Sequence, residues 1–173
     1  MPSTHLERGN LYRKPMGYRP INPLITNVFL DSCAFDPKYH PEDSSAQALY
    51  ILHESGKLVL HITHSNQKEL EHPNTPSFVK KLAGKFIFTC DVQLVDEELA
   101  RKELALKILA GNGRPERMLG DAEHVFNASR YGPYFVTTDN RILKKHDVLR
   151  RLCGVHVLKP SEIIEIIKSY ETI

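Results

Sequence analysis

The sequence predicts an α/β domain of three layers, α/β/α, around a central parallel sheet of four to five strands. Two observations lead there. Short, mostly apolar runs at Val28-Phe29-Leu30, Leu58–Ile62, Tyr134-Phe135-Val136 and Val155–Leu158 have strand length and little polar alternation, as strands covered on both faces do. The stretches between them carry helical spacing and helix start and stop residues. Strands alternating with helices form βαβ units, which run parallel and place helices on both faces.

The chain's 173 residues fit one domain with its own core. Its 41% hydrophobic and 25% charged residues are ordinary for a soluble globular protein, and a net charge of +2 does not by itself announce a nucleic-acid binder. No run approaches ~20 apolar residues, so no membrane span is expected. The N-terminus lacks the apolar core of a secretory signal. The three cysteines, Cys33, Cys90 and Cys153, form no CxxC pair. They are expected to be reduced, mostly buried thiols of a cytoplasmic protein.

Residues 1–26 are rich in proline and read as an extension; the domain is expected over 27–173. The first strand ends in Asp31-Ser32-Cys33. Ser44 or Ser45 is expected to cap a helix running to about His53, with Gly56 closing it. After Leu58–Ile62, one of Thr63, His64 and Ser65 caps a short helix containing Lys68-Glu69-Leu70, stopped by Pro73. Pro76 opens another, ended by Gly84. Phe86–Thr89 is extended, as strand or connector. A longer helix covers about Asp96–Ala110, and Gly111-Asn112-Gly113 stops it. Pro115 sits early in the next helical stretch, which carries Asp121, Val125 and Ala128. Tyr134–Thr138 is a strand ending at Asp139. A basic helix follows to about Cys153, then the strand Val155–Leu158, then a helix capped by Ser161 with an isoleucine-rich face.

Two apolar strands thus end directly in an acid, Asp31 and Asp139. Both acids belong on the rim of the sheet where ligands bind in such folds. If the strands are neighbours, the acids are separated by about 5 Å; with one strand between, about 10 Å. Like charges that close repel, and a divalent cation removes the conflict. Asp121 shares an inward helix stripe with Val125 and Ala128, at i+4 and i+7. Glu69 follows the second strand closely enough to reach the same rim, with Glu71 as its rival. An all-oxygen ligand set suits Mg²⁺ or Mn²⁺ rather than zinc. Each acid also has a plain structural use: Asp139 can cap the helix starting at Asn140, and Asp121 can serve a helix dipole. His61 and His64 straddle a strand end without a third nitrogen or sulfur ligand, so no zinc site is expected there.

The order Asn27-Val28-Phe29-Leu30-Asp31-Ser32, then Glu69, then Gly120-Asp121-Ala122-Glu123-His124-Val125-Phe126-Asn127-Ala128, then Phe135-Val136-Thr137-Thr138-Asp139, resembles the PIN-domain nucleases. The similarity is to the stand-alone prokaryotic type, including VapC-like toxins, and covers about residues 27–160. It implies that Asp31, Glu69, Asp121 and Asp139 are catalytic, that Asp31, Asp121 and Asp139 hold Mg²⁺ or Mn²⁺, and that Ser32 or Thr137 supports them. The implied activity is metal-dependent endoribonucleolytic hydrolysis without a side-chain nucleophile. Arg141, Lys144 and Lys145, in a basic stretch just after Asp139, are then expected on the RNA backbone. Tyr131 and Tyr134 are candidates to stack bases, with core packing the expected use of at least one. A homodimer and, for a toxin, an antitoxin-like inhibitor protein are the partners the resemblance implies. The chain is longer than a typical toxin of the family, and Asn140 stands where some members carry another acid. The resemblance therefore implies RNA cleavage more firmly than a toxin's role; an RNA-processing nuclease fits it equally.

Two other classes compete. A phosphatase or receiver domain with Asp31 as nucleophile would want a second acid at Cys33, or an acidic pair near Thr26-Asn27, and neither is there. A non-catalytic RNA- or protein-binding module would keep the fold without cutting, but gives no use for four acids.

Overall fold

A computed structural model describes residues 20–171 of the chain. Five parallel strands form one sheet: β1 (Asn27–Leu30), β2 (Val59–Ile62), β3 (Ile87–Phe88), β4 (Tyr134–Val136) and β5 (His156–Leu158), in the order β3-β2-β1-β4-β5. The three-layer α/β/α class expected from the sequence is the class observed.

β1 lies at the centre, pairing Val28 with Leu60 of β2 on one side and Phe29 with Phe135 of β4 on the other. Successive side chains of β1 enter opposite cores. Val28 and Leu30 pack with Leu49, Leu60, Val136 and Ile163, beneath the helices α1 (Glu42–Glu54) and α8 (Pro160–Glu171). Phe29 packs with Ala105, Leu109, Val125, Phe135 and Leu149, beneath α4 (Asp96–Ala110), α5 (Leu119–Tyr131) and α7 (His146–Cys153). Between β2 and β3 lie the short helices α2 (His64–Leu70) and α3 (Ser77–Ala83).

The chain order reverses at β1. Strands β2 and β3 extend the sheet on one side, β4 and β5 on the other. The crevice outside the carboxyl ends of β1 and β4 is therefore the topological switch point, where open parallel sheets bind their ligands. At the opposite, amino-terminal edge of the sheet, the close approach of the α5–β4 connection to β1 depends on Gly132. A Cβ on Gly132 would lie 2.6 Å from the Asn27 carbonyl oxygen and 3.0 Å from the Phe29 ring.

Several boundaries differ from the sequence expectation. Helix α1 begins at Glu42, not at a Ser44 or Ser45 cap. Glu42 and Asp43 occupy its first turn, where the helix dipole favours acids, and the Ser44 hydroxyl donates back to the Pro41 carbonyl. Ser161 does not cap α8, which starts with Pro160. Its N–H and hydroxyl both donate to the buried Glu42 carboxylate, at 2.9 and 2.8 Å. Strand β4 ends at Val136, though the Thr137 N–H still bonds the Leu158 carbonyl. The basic helix is two helices, α6 (Asn140–Leu143) and α7, broken where the His146 ring bonds the Leu143 carbonyl.

The cysteines also depart from expectation. Cys33 and Cys90 are exposed and Cys153 is half-buried, because the first two lie just beyond the ends of β1 and β3 rather than inside the layers. Of the expected extension, residues 1–19 lie outside the described residues. The rest forms a 3-10 turn at Pro23–Ile25 that packs on α8, and the hydroxyls of Tyr134 and Tyr170 donate to the Ile21 and Pro20 carbonyls.

Candidate active site

Asp31 leaves the sheet at the end of β1. Its N–H bonds the Val136 carbonyl at 2.9 Å, so the pairing with β4 continues up to this residue. The side chain is only 4% exposed at residue level. One oxygen accepts the Ser32 N–H at 2.8 Å; the other accepts the Thr137 hydroxyl at 2.7 Å and lies 3.2 Å from Cys33 Sγ. Burial raises the Asp31 carboxyl above the ordinary carboxylate value, against the pull of Thr137, His124 and the other donors. Although Cys33 is exposed as a residue, its sulfur lies against Asp31 and Thr137, and burial there together with the Asp31 charge pushes the thiol up to about 11, which makes it a poor nucleophile.

Asp139 follows β4, the neighbouring strand. It caps α6, accepting the Arg141 N–H at 2.7 Å, and its own N–H bonds Thr137 Oγ1 at 3.1 Å. Thr137 thus ties the two strand-end acids together. The Arg141 guanidinium grips the Asp139 carboxylate through Nε and Nη2. Burial opposes ionisation of Asp139, but the Arg141 hydrogen bonds and charge bring it below its ordinary value. The structural use and the cluster coincide here: both strand-end acids cap a turn and face the same rim.

Asp121 stands in the first turn of α5. Its Oδ2 is buried without a hydrogen bond; the Arg141 Nη2, 3.3 Å away, offers an ion pair only. Burial pushes the Asp121 carboxyl up to about 6, with the Asp31 and Asp139 charges adding to it and Arg141 opposing. Val125 and Ala128 are fully buried on the same helix.

Glu69 and Glu71 separate clearly. Glu69 reaches across from α2: Oε2 accepts the Ser32 hydroxyl at 3.0 Å and Oε1 lies 2.9 Å from His124 Nε2. Glu71 accepts a hydrogen bond from Gln67 on the exposed face of the same helix. The close polar contact with His124 is the main cause that lowers the Glu69 carboxyl, against its burial.

His124 is the residue the sequence reading passed over. It is 2% exposed, one turn after Asp121 on α5. Burial works against its protonation, yet Glu69, Asp31 and Asp121 together raise it. The available signal was its i+3 spacing from Asp121, which puts both on one helix face.

Arg141 has a place different from the one expected. Its guanidinium turns onto Asp121 and Asp139 instead of outward to a backbone. Lys144 is exposed beside it and Lys145 is half-buried, its ammonium reaching towards Gly111. Tyr134 is fully buried in the core, which removes it as a stacking platform, whereas Tyr131 is 39% exposed.

Among the described residues, no three His, Cys, Asp or Glu side chains stand close enough together to hold a metal ion as they are. Arg141 occupies the space between Asp121 and Asp139 as their counter-charge. The donor set is nonetheless all carboxylate oxygen, and it includes an unbonded, buried acceptor in Asp121 Oδ2, the chemistry a hard divalent cation takes. Four carboxylates on one rim would repel an anionic substrate unless a cation were bound among them.

No protein-family model matches the chain, and no curated protein matches it in sequence.

Proposed function

We propose that the chain is a Mg²⁺- or Mn²⁺-dependent endoribonuclease, acting at the switch point between β1 and β4. One observation carries the reading: Asp31 follows the end of β1 directly, Asp139 follows the end of the neighbouring β4 by three residues, and Asp121 adds a buried carboxylate oxygen without a hydrogen bond. Asp31, Asp121 and Asp139 would hold the ion. When bound, it supplies Lewis acidity toward the scissile phosphodiester.

The chain's own groups do the rest. Thr137 and the Ser32 N–H fix Asp31 in one orientation. Glu69, the most exposed of the four acids with a side chain 48% accessible, accepts a hydrogen bond from the attacking water. Lys144 and Lys145, between α6 and α7, supply positive charge for RNA phosphates. No described residue is asked to act as a covalent nucleophile, consistent with the high Cys33 thiol.

An RNA-processing nuclease and the toxin of a toxin–antitoxin pair both fit this chemistry, either of them cytoplasmic, with a homodimer and an inhibitor protein as partners of the second. Among the described residues no helix is long and apolar enough to cross a membrane. A non-catalytic RNA-binding module is the second reading, and the Asp121–Arg141–Asp139 ion pairs favour it, because Arg141 already offsets part of the cluster's charge where a metal would sit. Cleavage of a labelled structured RNA separates the two. The nuclease reading expects cutting that requires Mn²⁺ or Mg²⁺, stops with chelator, and is lost in Asp31→Asn. RNA bound but uncut under all these conditions leaves the binding module.

A further inference from the structure

We propose that His124 is the positioning residue for Glu69: its buried imidazole links the Glu69 carboxylate to a polar anchor of Ser65, Thr63 and Asn127 and sets the orientation in which Glu69 faces the site. What Glu69 does there rests on the nuclease reading; the linkage does not.

The anchor end is rigid. His124 Nδ1 lies 2.8 Å from Ser65 Oγ, which also accepts the Asn127 amide at 3.2 Å and sits 2.9 Å from Thr63 Oγ1. Thr63 Oγ1 in turn accepts the Asn66 N–H that opens α2. Ser65, Thr63 and Asn127 are all buried. The proton count follows. With Thr63 donating to Ser65, and Ser65 accepting Asn127, the Ser65 proton goes to His124 Nδ1. Nε2 of the neutral ring then carries the N–H.

The other end meets the site. Nε2 is buried without an in-line acceptor, and Glu69 Oε1 lies 2.9 Å away, off the axis of the ring N–H. A buried donor strongly favours the acceptor within its reach. The second Glu69 oxygen is held by the Ser32 hydroxyl at 3.0 Å, from the turn that follows Asp31. The carboxylate is therefore gripped from two elements. Gly120 leaves the space for this meeting: a Cβ there would lie 3.3 Å from Glu69 Oε1 and 3.8 Å from His124 Nε2. Ser65 is too enclosed to reach a substrate, so the Ser65–His124–Glu69 line orients a carboxylate and does not activate a serine.

Two near-isosteric variants isolate the linkage. His124→Gln keeps an N–H donor at the Nε2 position and gives up the Ser65 contact. His124→Asn keeps a partner for Ser65 and gives up the donor to Glu69. Positioning through Glu69 predicts that the Asn variant loses ~10–100-fold in kcat at little cost in KM, as losses of outer supporting groups do. It predicts that the Gln variant recovers most of that loss, and that Glu69→Gln with His124→Asn is no slower than Glu69→Gln alone. A merely structural histidine gives the opposite order, with Asn at or above Gln, and additive losses; that result overturns the proposal. Imidazole ¹⁵N NMR provides a readout independent of activity. The His124 Nε2–H resonance should be protected from exchange and should move in Glu69→Gln but not in Glu71→Gln. A resonance indifferent to Glu69→Gln in a protein that cuts RNA overturns the linkage and leaves the nuclease reading. A responsive resonance in a protein that cuts no RNA supports the linkage and removes the nuclease reading.

Discussion

Arg141 Nη2 lies 3.3 Å from Asp121 Oδ2 and 2.5 Å from Asp139 Oδ2, so one guanidinium joins carboxylates from two elements that would otherwise repel. It reaches both because it follows Asp139 by two residues, in the first turn of α6. Its side chain is 58% exposed, which leaves it free to swing away. A divalent cation held by the same oxygens would compete with it.

Arg141→Gln should therefore tighten Mn²⁺ binding by ~3–10-fold, a modest gain because an exposed cation is screened. Isothermal titration of parent and variant measures it. An unchanged or weaker affinity would mean that Arg141 and the metal do not share the carboxylates.

Asp121 makes stability depend on pH in a definite direction. Its carboxyl titrates at about 6 in the folded chain against an ordinary 3.8, so the folded state keeps a proton that the unfolded state releases. Stability from this group is present below about 3.8, falls as pH rises between the two values, and is fully lost above about 6. Asp31, also raised, acts in the same sense. Asp121→Asn should accordingly stabilise the protein above pH 6 by about 1–2 kcal/mol after allowing for solvent screening, and flatten the pH profile, while abolishing cleavage. Urea unfolding at pH 5 and pH 7.5 tests the sign; a variant less stable than the parent at pH 7.5 contradicts it.

Glu69→Gln and Glu71→Gln should part company. The first removes a carboxylate bonded to Ser32 and His124 and should lower kcat by ~100-fold or more. The second disturbs only a surface bond to Gln67 and should leave kcat unchanged and stability within about 0.5 kcal/mol. Equal effects in a cleavage assay would displace Glu69 from the site.

Gly132→Ala tests the packing that brings α5 and β4 against β1. The new methyl would press on the Asn27 carbonyl at 2.6 Å and on the Phe29 ring, neither of which can yield easily. Overpacking of this kind costs about 1–3 kcal/mol. Chemical denaturation should show a lower midpoint; an unchanged midpoint would mean that this contact is looser than described.

The strands were legible because each is a short apolar run, and a parallel sheet covered on both faces needs little else. Asp31 and Asp139 were legible because an acid straight after such a run can only leave the core at the sheet's rim. That β1 and β4 are neighbours was not legible, since strand order is set by packing across the whole chain. Glu69 could not be told from Glu71 by pattern, because α2 is too short to show a clear stripe; Ser32 and His124 separate them in space. His124 was hidden by its surroundings, as a histidine on an apolar helix face looks the same whether it supports a carboxylate or fills a core. Arg141 misled in the other direction. A basic stretch shows charge but not which way each side chain turns, and the nearest carboxylates took this one. Ser44 and Ser161 were sensible caps that acids displaced: Glu42 and Asp43 hold the first turn of α1, and Glu42 binds Ser161 from across the core face.

The central claim is that Asp31, Asp121 and Asp139 hold one divalent ion or two at the β1–β4 switch point. Anomalous diffraction from crystals soaked in Mn²⁺ measures this directly. The account predicts a manganese peak within coordination distance of carboxylate oxygens from all three residues, with the Arg141 guanidinium moved off Asp121. A map with no peak at the cluster, and Arg141 still between Asp121 and Asp139, would contradict it.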